Sequence, residues 1–291
     1  MKELIDTPKG ILEIEIYGKG QPVLFFTGLN SHLSEFREIS KVLKQDYRCI
    51  LFNRPGLGKS TINTDDLNVS HTCEVVHEML KVKNISDKLI LVGHSHGGLC
   101  VQRYVQMYEK EVKGLLLIDA MPTDNSILDG LATTRYIDEL EGFLIFCKKM
   151  KDLDSKDIKK EIDIAEYNEE LKEFYSSPSL YKAMYHEVSN WRTDTDIIEG
   201  SFKQLKLPLM VLGRDKQYNI KNLVDEGISL EEAGLLESTW HKLIEDQGKI
   251  SEISKVHFVE EADHKIHLCK PSKVIESIHL LDDETFIKES S

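Results

Sequence analysis

Three residue types that together can activate a hydroxyl group stand at separate points of this chain. A serine lies among glycines in Gly93-His94-Ser95-His96-Gly97-Gly98. A histidine follows acidic residues in Glu260-Glu261-Ala262-Asp263-His264, and two carboxylates, Asp119 and Asp215, close apolar runs. A serine hydroxyl is a poor nucleophile at neutral pH, so it needs a base to take its proton and a third group to orient that base. In strand–turn–helix serine sites the partners come in the chain order Ser, acid, His, which Ser95, either aspartate and His264 satisfy. His267, three residues beyond His264, is the rival base, and the other histidines read as surface or helix-face residues. Each aspartate also has a plainer reading, as a strand-end turn residue or a cap for the next helix.

Acyl transfer also needs donors where negative charge develops on the carbonyl oxygen, each worth about 3 kcal/mol of barrier. The backbone N–H of His96, just after the serine, is one. The other is expected from the turn Thr27-Gly28-Leu29-Asn30, at Leu29. Both are main-chain groups, and this chemistry calls for no cofactor and no metal.

The elements around these residues read as alternating short strands and helices. Leu89–Val92 is a four-residue apolar run that stops at Gly93, and an apolar-periodic stretch follows from Leu99 to Tyr108. A side chain at position 93 or 97 would strike the neighbouring helix or strand, so the glycines suit a tight strand-to-helix turn. Residues 11–17 alternate as a half-buried edge strand does, whereas Val23–Phe26, Cys49–Phe52 and Gly114–Ile118 are apolar throughout, as strands covered on both faces are. With helical spacing at Phe36–Leu43 and His71–Val82, the pattern predicts an α/β fold, a doubly wound and mostly parallel sheet. From Met121 to Lys206 strand-like runs give way to charged, amphipathic segments (Ile127–Met150, Ile158–Tyr175, Leu180–Val188). This predicts a core of residues 1–120 and 207–291 carrying a helical cap insertion over 121–206. After a strand at Leu207–Leu212 come a polar stretch to about Ser238, a helix near Trp240–Ile244, a strand at Val256–Val259 and a helix at Pro271–Leu281. The tail from Asp282 reads as polar and loosely held.

Composition narrows the partners. The chain has 291 residues, 41% hydrophobic and 30% charged, with a net charge of -13. So acidic a chain without a basic run argues against nucleic acid. No apolar stretch reaches the eighteen or so residues of a membrane span. Five scattered cysteines without a C-x-x-C pair read as reduced thiols, not as a disulfide frame or zinc site. Met1–Asp6 lacks the apolar core of a signal peptide, so the expected location is cytoplasmic and the expected partner a small-molecule substrate.

Taken together these motifs resemble the α/β-hydrolase superfamily. Gly93–Gly98 matches its nucleophile turn, and Thr27–Asn30 stands where the superfamily has His-Gly and the oxyanion residue. Asn53-Arg54-Pro55-Gly56-Leu57-Gly58-Lys59-Ser60 resembles its D-x-x-G-x-G-x-S turn, and Ala262-Asp263-His264, with Pro271 after it, its A-G-H and trailing helix. Thr27, Asn53 and Asp263 depart from the usual histidine, aspartate and glycine. Many members carry the acid in a G-x-x-D turn, a position held here by Lys216, with Asp215 one residue early. Members resembling haloalkane dehalogenases carry it at the end of the preceding strand, which favours Asp119. Those members use an aspartate nucleophile, so with Ser95 the resemblance does not imply dehalogenation or epoxide opening. It implies a serine hydrolase for a small carboxylic ester, with Ser95, His264 and Asp119 as the triad. The alternatives are an amide or C–C bond hydrolase, or a ligand-binding member of the fold with little turnover.

Overall fold

A computed structural model describes residues 2–62, 67–124 and 135–283, without the side chains of 135–139. Eight strands form one sheet in the order β1-β2-β4-β3-β5-β6-β7-β8. They are β1 Lys2–Thr7, β2 Gly10–Tyr17, β3 Gln21–Phe26, β4 Tyr47–Phe52, β5 Leu89–His94, β6 Val112–Ile118, β7 Leu209–Gly213 and β8 Ser254–Phe258. β1 pairs with β2, and β2 with β4, antiparallel. All later pairings are parallel.

The apolar runs are buried on both faces, as their composition predicts. Successive side chains of a strand point to opposite sides, so Leu24, Phe26, Leu91, Leu115, Leu117 and Val211 enter one core. Val23, Phe25, Ile90, Val92, Leu116, Ile118 and Leu212 enter the other. Helices α2 (Val69–Val82) and α3 (His96–Tyr108) contribute to the first core. Helix α1 (Arg37–Leu43) contributes to the second.

Between β6 and β7 lie α4 (Arg135–Met150), α5 (Ser155–Glu161), α6 (Glu169–Tyr175), α7 (Pro178–Ser189) and α8 (Trp191–Gly200). They have an apolar cluster of their own, in which Cys147, Met150, Ile158, Phe174, Tyr181 and Met184 pack with Leu57 and Leu67. After β7 come α9 (Lys216–Asp225) and α10 (Leu230–Asp246), and after β8 α11 (Ile266–Cys269) and α12 (Pro271–Asp282).

Three details differ from the expectation. The stretch Ile158–Tyr175 is two helices, because Asn168 caps a second one by accepting from Leu171 N at 3.0 Å. The polar stretch to Ser238 is helical, its starts set by Asp215 and Ser229, whose side chains accept the first free amides of α9 and α10. The charged N-terminus forms β1 through six pairings with β2, although its sequence carries little apolar alternation. The first part of Ile127–Met150 and the tail beyond Asp283 lie outside the described residues. Among the described residues no helix is long and apolar enough to cross a membrane, and all five cysteines are free thiols.

The sheet order places the site. β3 is followed by β4 on one side and β5 on the other, so the chain reverses its winding direction between β3 and β5. Open α/β sheets bind ligands in the crevice at the carboxyl ends of strands where this reversal occurs. Thr27–Asn30 leaves β3 there, and Ser95 leaves β5.

Candidate active site

Ser95 sits between β5 and α3 with φ 51° and ψ -121°, a backbone conformation that costs a non-glycine residue roughly 1–3 kcal/mol. Two features hold it there. A methyl on Gly97 would run into the Phe26 carbonyl of β3, and one on Gly93 into the Gly97 carbonyl, so helix and strand approach as only glycine permits. The backbone of Ser95 is also tied to the end of β6, with Ser95 N donating to Ile118 O at 3.2 Å and Met121 N donating to Ser95 O at 3.0 Å.

Those bonds bracket Asp119, the residue that follows β6 and is itself at φ 39°. Its side chain is fully buried. Oδ2 accepts from His264 Nδ1 at 2.6 Å and from Arg214 Nη1 at 3.2 Å. Oδ1 accepts from Trp240 Nε1 at 2.9 Å and from Arg214 N at 3.3 Å. Burial opposes the charged form of this carboxyl, but the Arg214 guanidinium and the bonds from His264 and Trp240 prevail, and hold it below the usual carboxylate range. Arg214 is itself clamped on Glu237 at 2.5 and 3.0 Å and lies 4.5 Å over the Trp240 ring. With Nδ1–H committed to Asp119, the neutral imidazole of His264 keeps its lone pair on Nε2.

Asp215 is used otherwise. Its Oδ1 accepts from the Gln217 and Tyr218 amides that begin α9, and its Oδ2 accepts from Glu261 N at 2.9 Å. It thus caps a helix and ties down the loop that leads to His264. His267 lies apart from Asp119, with its Nε2 donating to Glu35 Oε2 at 3.0 Å.

A second polar chain braces His264. His94 Nε2–H donates to the backbone carbonyl of His264 at 3.0 Å. The His94 ring packs 4.7 Å from that of His264 and 4.3 Å from that of His267. Glu35 holds both His267 and Lys265 Nζ, the latter at 2.8 Å. Burial, with the neighbouring charges of His267 and His264, keeps His94 well below the usual imidazole range. Among the described residues, Glu35, His94 and His267 form a group whose ligand atoms lie within 4.8 Å of one another. The ammonium of Lys265 already answers the single carboxylate there, which leaves a dication little net attraction.

The expected oxyanion amides belong to the loop after β3, for Leu29, and to the first turn of α3, for His96. Leu29 follows Gly28, where a methyl would lie 3.1 Å from Ser95 Cβ, so the loop is in contact with the serine. His96 opens α3, whose first amides have no partner within the helix. Arg54 and Glu187 lie beneath them as a buried ion pair 2.8 Å apart.

A family model described as alpha/beta hydrolase fold matches residues 21–154, the stretch that holds β3, the Ser95 turn and Asp119. The chain has the α/β-hydrolase fold. It is 27% identical over 213 residues to "Putative esterase/lipase 2" of Mycoplasma pneumoniae, covering 72% of this chain and 76% of that protein. Among solved structures, an esterase from Exiguobacterium antarcticum superposes with a TM-score of 0.67 at 16% identity, over 97% of this chain and 100% of that one. The Cif epoxide hydrolase from Acinetobacter nosocomialis gives 0.69 at 18%, over 97% and 88%. At such identities these likenesses speak for the superfamily's fold alone.

Arg214, Trp240, Arg54, Glu187, Glu35 and His94 have no role in the sequence reading, and His267 figures there only as the rival base, whereas here it pairs with Glu35. A lone arginine in a strand-end turn, as in Asn53-Arg54-Pro55 or Gly213-Arg214-Asp215, is the one local signal that two of them offered. For Glu187 and Trp240, inside amphipathic helices, spacing carries no trace of the partner.

Proposed function

We propose that the protein is a serine hydrolase of carboxylic esters, with Ser95 as nucleophile, His264 as general base and acid, and Asp119 as the orienting carboxylate. The observation that carries this reading is the 2.6 Å contact between His264 Nδ1 and Asp119 Oδ2, beside a serine held at positive φ. Ser95 Oγ attacks the ester carbonyl as His264 Nε2 takes its proton. The tetrahedral oxyanion is held by the Leu29 and His96 amides. Collapse expels the alcohol, which receives the proton from His264. Water then repeats the sequence on the acyl-enzyme and releases the acid. Asp119 stays ionised throughout and stabilises the imidazolium.

Residues 121–206 act as the cap in this reading, closing over the substrate and setting its size. The esterase/lipase name of the Mycoplasma relative supports an ester. The epoxide hydrolase neighbours do not extend their chemistry to this chain, because a serine at position 95 cannot play the part of an aspartate nucleophile.

The test is covalent labelling with a fluorophosphonate, together with turnover of p-nitrophenyl esters of increasing acyl length. The folded protein is expected to be labelled once, at Ser95, and the Ser95→Ala protein not at all. An unlabelled, inactive wild-type protein would sink the enzyme reading and leave a ligand-binding role for the fold.

A further inference from the structure

Arg54 is the largest fully buried side chain described. Burying a guanidinium costs several kcal/mol, which a single ion pair seldom returns in full, and a hydrophobic replacement is often as stable. Its retention is explained by what its donors reach. Nε and Nη2 grip Glu187 of α7 at 2.8 and 3.0 Å. Nη1 donates to Thr27 O at 2.6 Å, Thr27 Oγ1 at 2.9 Å and Gly28 O at 2.9 Å.

The last of these contacts bears on catalysis through the geometry of one peptide unit. The chain has no cis peptide bonds, so within the Gly28–Leu29 peptide the C=O and N–H point in opposite directions. Gly28 O is fixed toward Arg54, and also accepts from Ser31 N at 3.2 Å. The Leu29 N–H is thereby turned away from Arg54. Rotation of this peptide by a few tens of degrees would turn that amide aside, and of the two donors that set the plane Arg54 makes the shorter bond.

The other end of the arginine belongs to the helices between β6 and β7. Glu187 is buried and its carboxyl lies below the usual range, burial being outweighed by the charge of Arg54. The same carboxylate stands 3.7 Å from His96 Nε2, on the residue that supplies the other oxyanion amide. One acid from the inserted helices therefore reaches the Leu29 loop through Arg54 and stands beside the His96 ring.

We propose that Arg54 is a positioning residue for the oxyanion hole, fixing the Leu29 amide through the Gly28 carbonyl, and that Glu187 makes this alignment depend on the seating of α7. The inference rests on the serine hydrolase reading. The Arg54→Met/Glu187→Leu double variant removes both buried charges together. It is expected to fold, with a wild-type circular dichroism spectrum, and to keep KM for p-nitrophenyl acetate within about threefold. Its kcat should fall about 100-fold, in the range for loss of one oxyanion donor. Its affinity for an aryl trifluoromethyl ketone, which forms an oxyanion on Ser95, should fall by the same factor. A purely structural pair would leave kcat and ketone affinity as they were. Arg54→Lys keeps the charge but has no fork to hold Glu187 and the loop carbonyls at once, so it should lose about tenfold in both quantities. Wild-type values in Arg54→Lys or in the folded double variant overturn the proposal. A wild-type protein that takes neither ketone nor fluorophosphonate overturns the hydrolase reading instead.

Discussion

Trp240 donates its indole N–H to Asp119 Oδ1 at 2.9 Å across 121 residues of sequence, reaching from α10 to the end of β6. The bond occupies the carboxylate oxygen that His264 does not use. It leaves Oδ2 as the imidazole's acceptor and keeps the carboxylate from rotating.

Trp240→Phe keeps an aromatic ring at this place and removes only the donor. A hydrogen bond to a buried charge is worth about 1.5–3 kcal/mol, so kcat/KM for a p-nitrophenyl ester is expected to fall ten- to a hundredfold in a protein that still folds. Unchanged turnover would mean that Arg214 and His264 alone hold Asp119.

The two aspartates should separate cleanly in kinetics and in stability. Asp119→Asn is expected to lose about 10⁴ in kcat, because the amide favours the wrong imidazole tautomer. Asp215→Asn should keep turnover within a few-fold and lose about 1 kcal/mol of stability at most, since asparagine still caps a helix. The check is steady-state kinetics beside urea unfolding of both variants. A large kcat loss in Asp215→Asn with Asp119→Asn active would reverse the assignment.

Acid should unfold this protein early. Burial, together with the nearby charge of Arg54, pushes His96 down to about 4, and His94 and His267 are lowered by burial and adjacent positive groups. In the unfolded chain these imidazoles take up protons near pH 6.5. The unfolded state therefore binds more protons between pH 6.5 and about 4, and stability falls as pH drops through that window. Glu35 adds a second, lower window. Burial opposes its charge, but its bonds to His267 and Lys265 bring it down to about 2, so its stabilisation is complete above about pH 4.5 and is lost toward pH 2. Urea midpoints measured from pH 8 to 4 should be level near neutrality and decline steadily below pH 6.5. A midpoint unchanged between pH 7 and 4.5 would contradict the neutral, buried state of these histidines.

The parts of the site that local chemistry dictates were legible in the sequence. Gly93 and Gly97 announce a close strand–helix approach, and an apolar run ending at Asp119 announces an interior strand with an acid at its edge. What stayed hidden is held by partners far away in sequence. Arg54 and Glu187 meet across 133 residues, and no local pattern links them. The choice between Asp119 and Asp215 was open for the same reason. Each ends a parallel strand, and only the tertiary placement of the Glu261 amide and the Trp240 indole commits one to a cap and the other to His264. Helix α9 escaped notice because it buries no side chain, so it lacks the apolar periodicity that marks a packed helix, and of α10 only the part near Trp240–Ile244 was legible.

β6 and β7 are direct neighbours, with Leu115 opposite Leu209, although about ninety residues separate them. The chain leaves the sheet at Asp119 and re-enters one strand over, a gap of about 5 Å, so the helices between are a cassette whose exchange costs the sheet no strand. Arg54 restricts what can be inserted. A replacement without an acid at the place of Glu187 would strand a bare cation in the interior. Lineages that trade this cassette to reach new substrates are therefore expected to trade the counter-charge with it, or to lose the arginine in the same step.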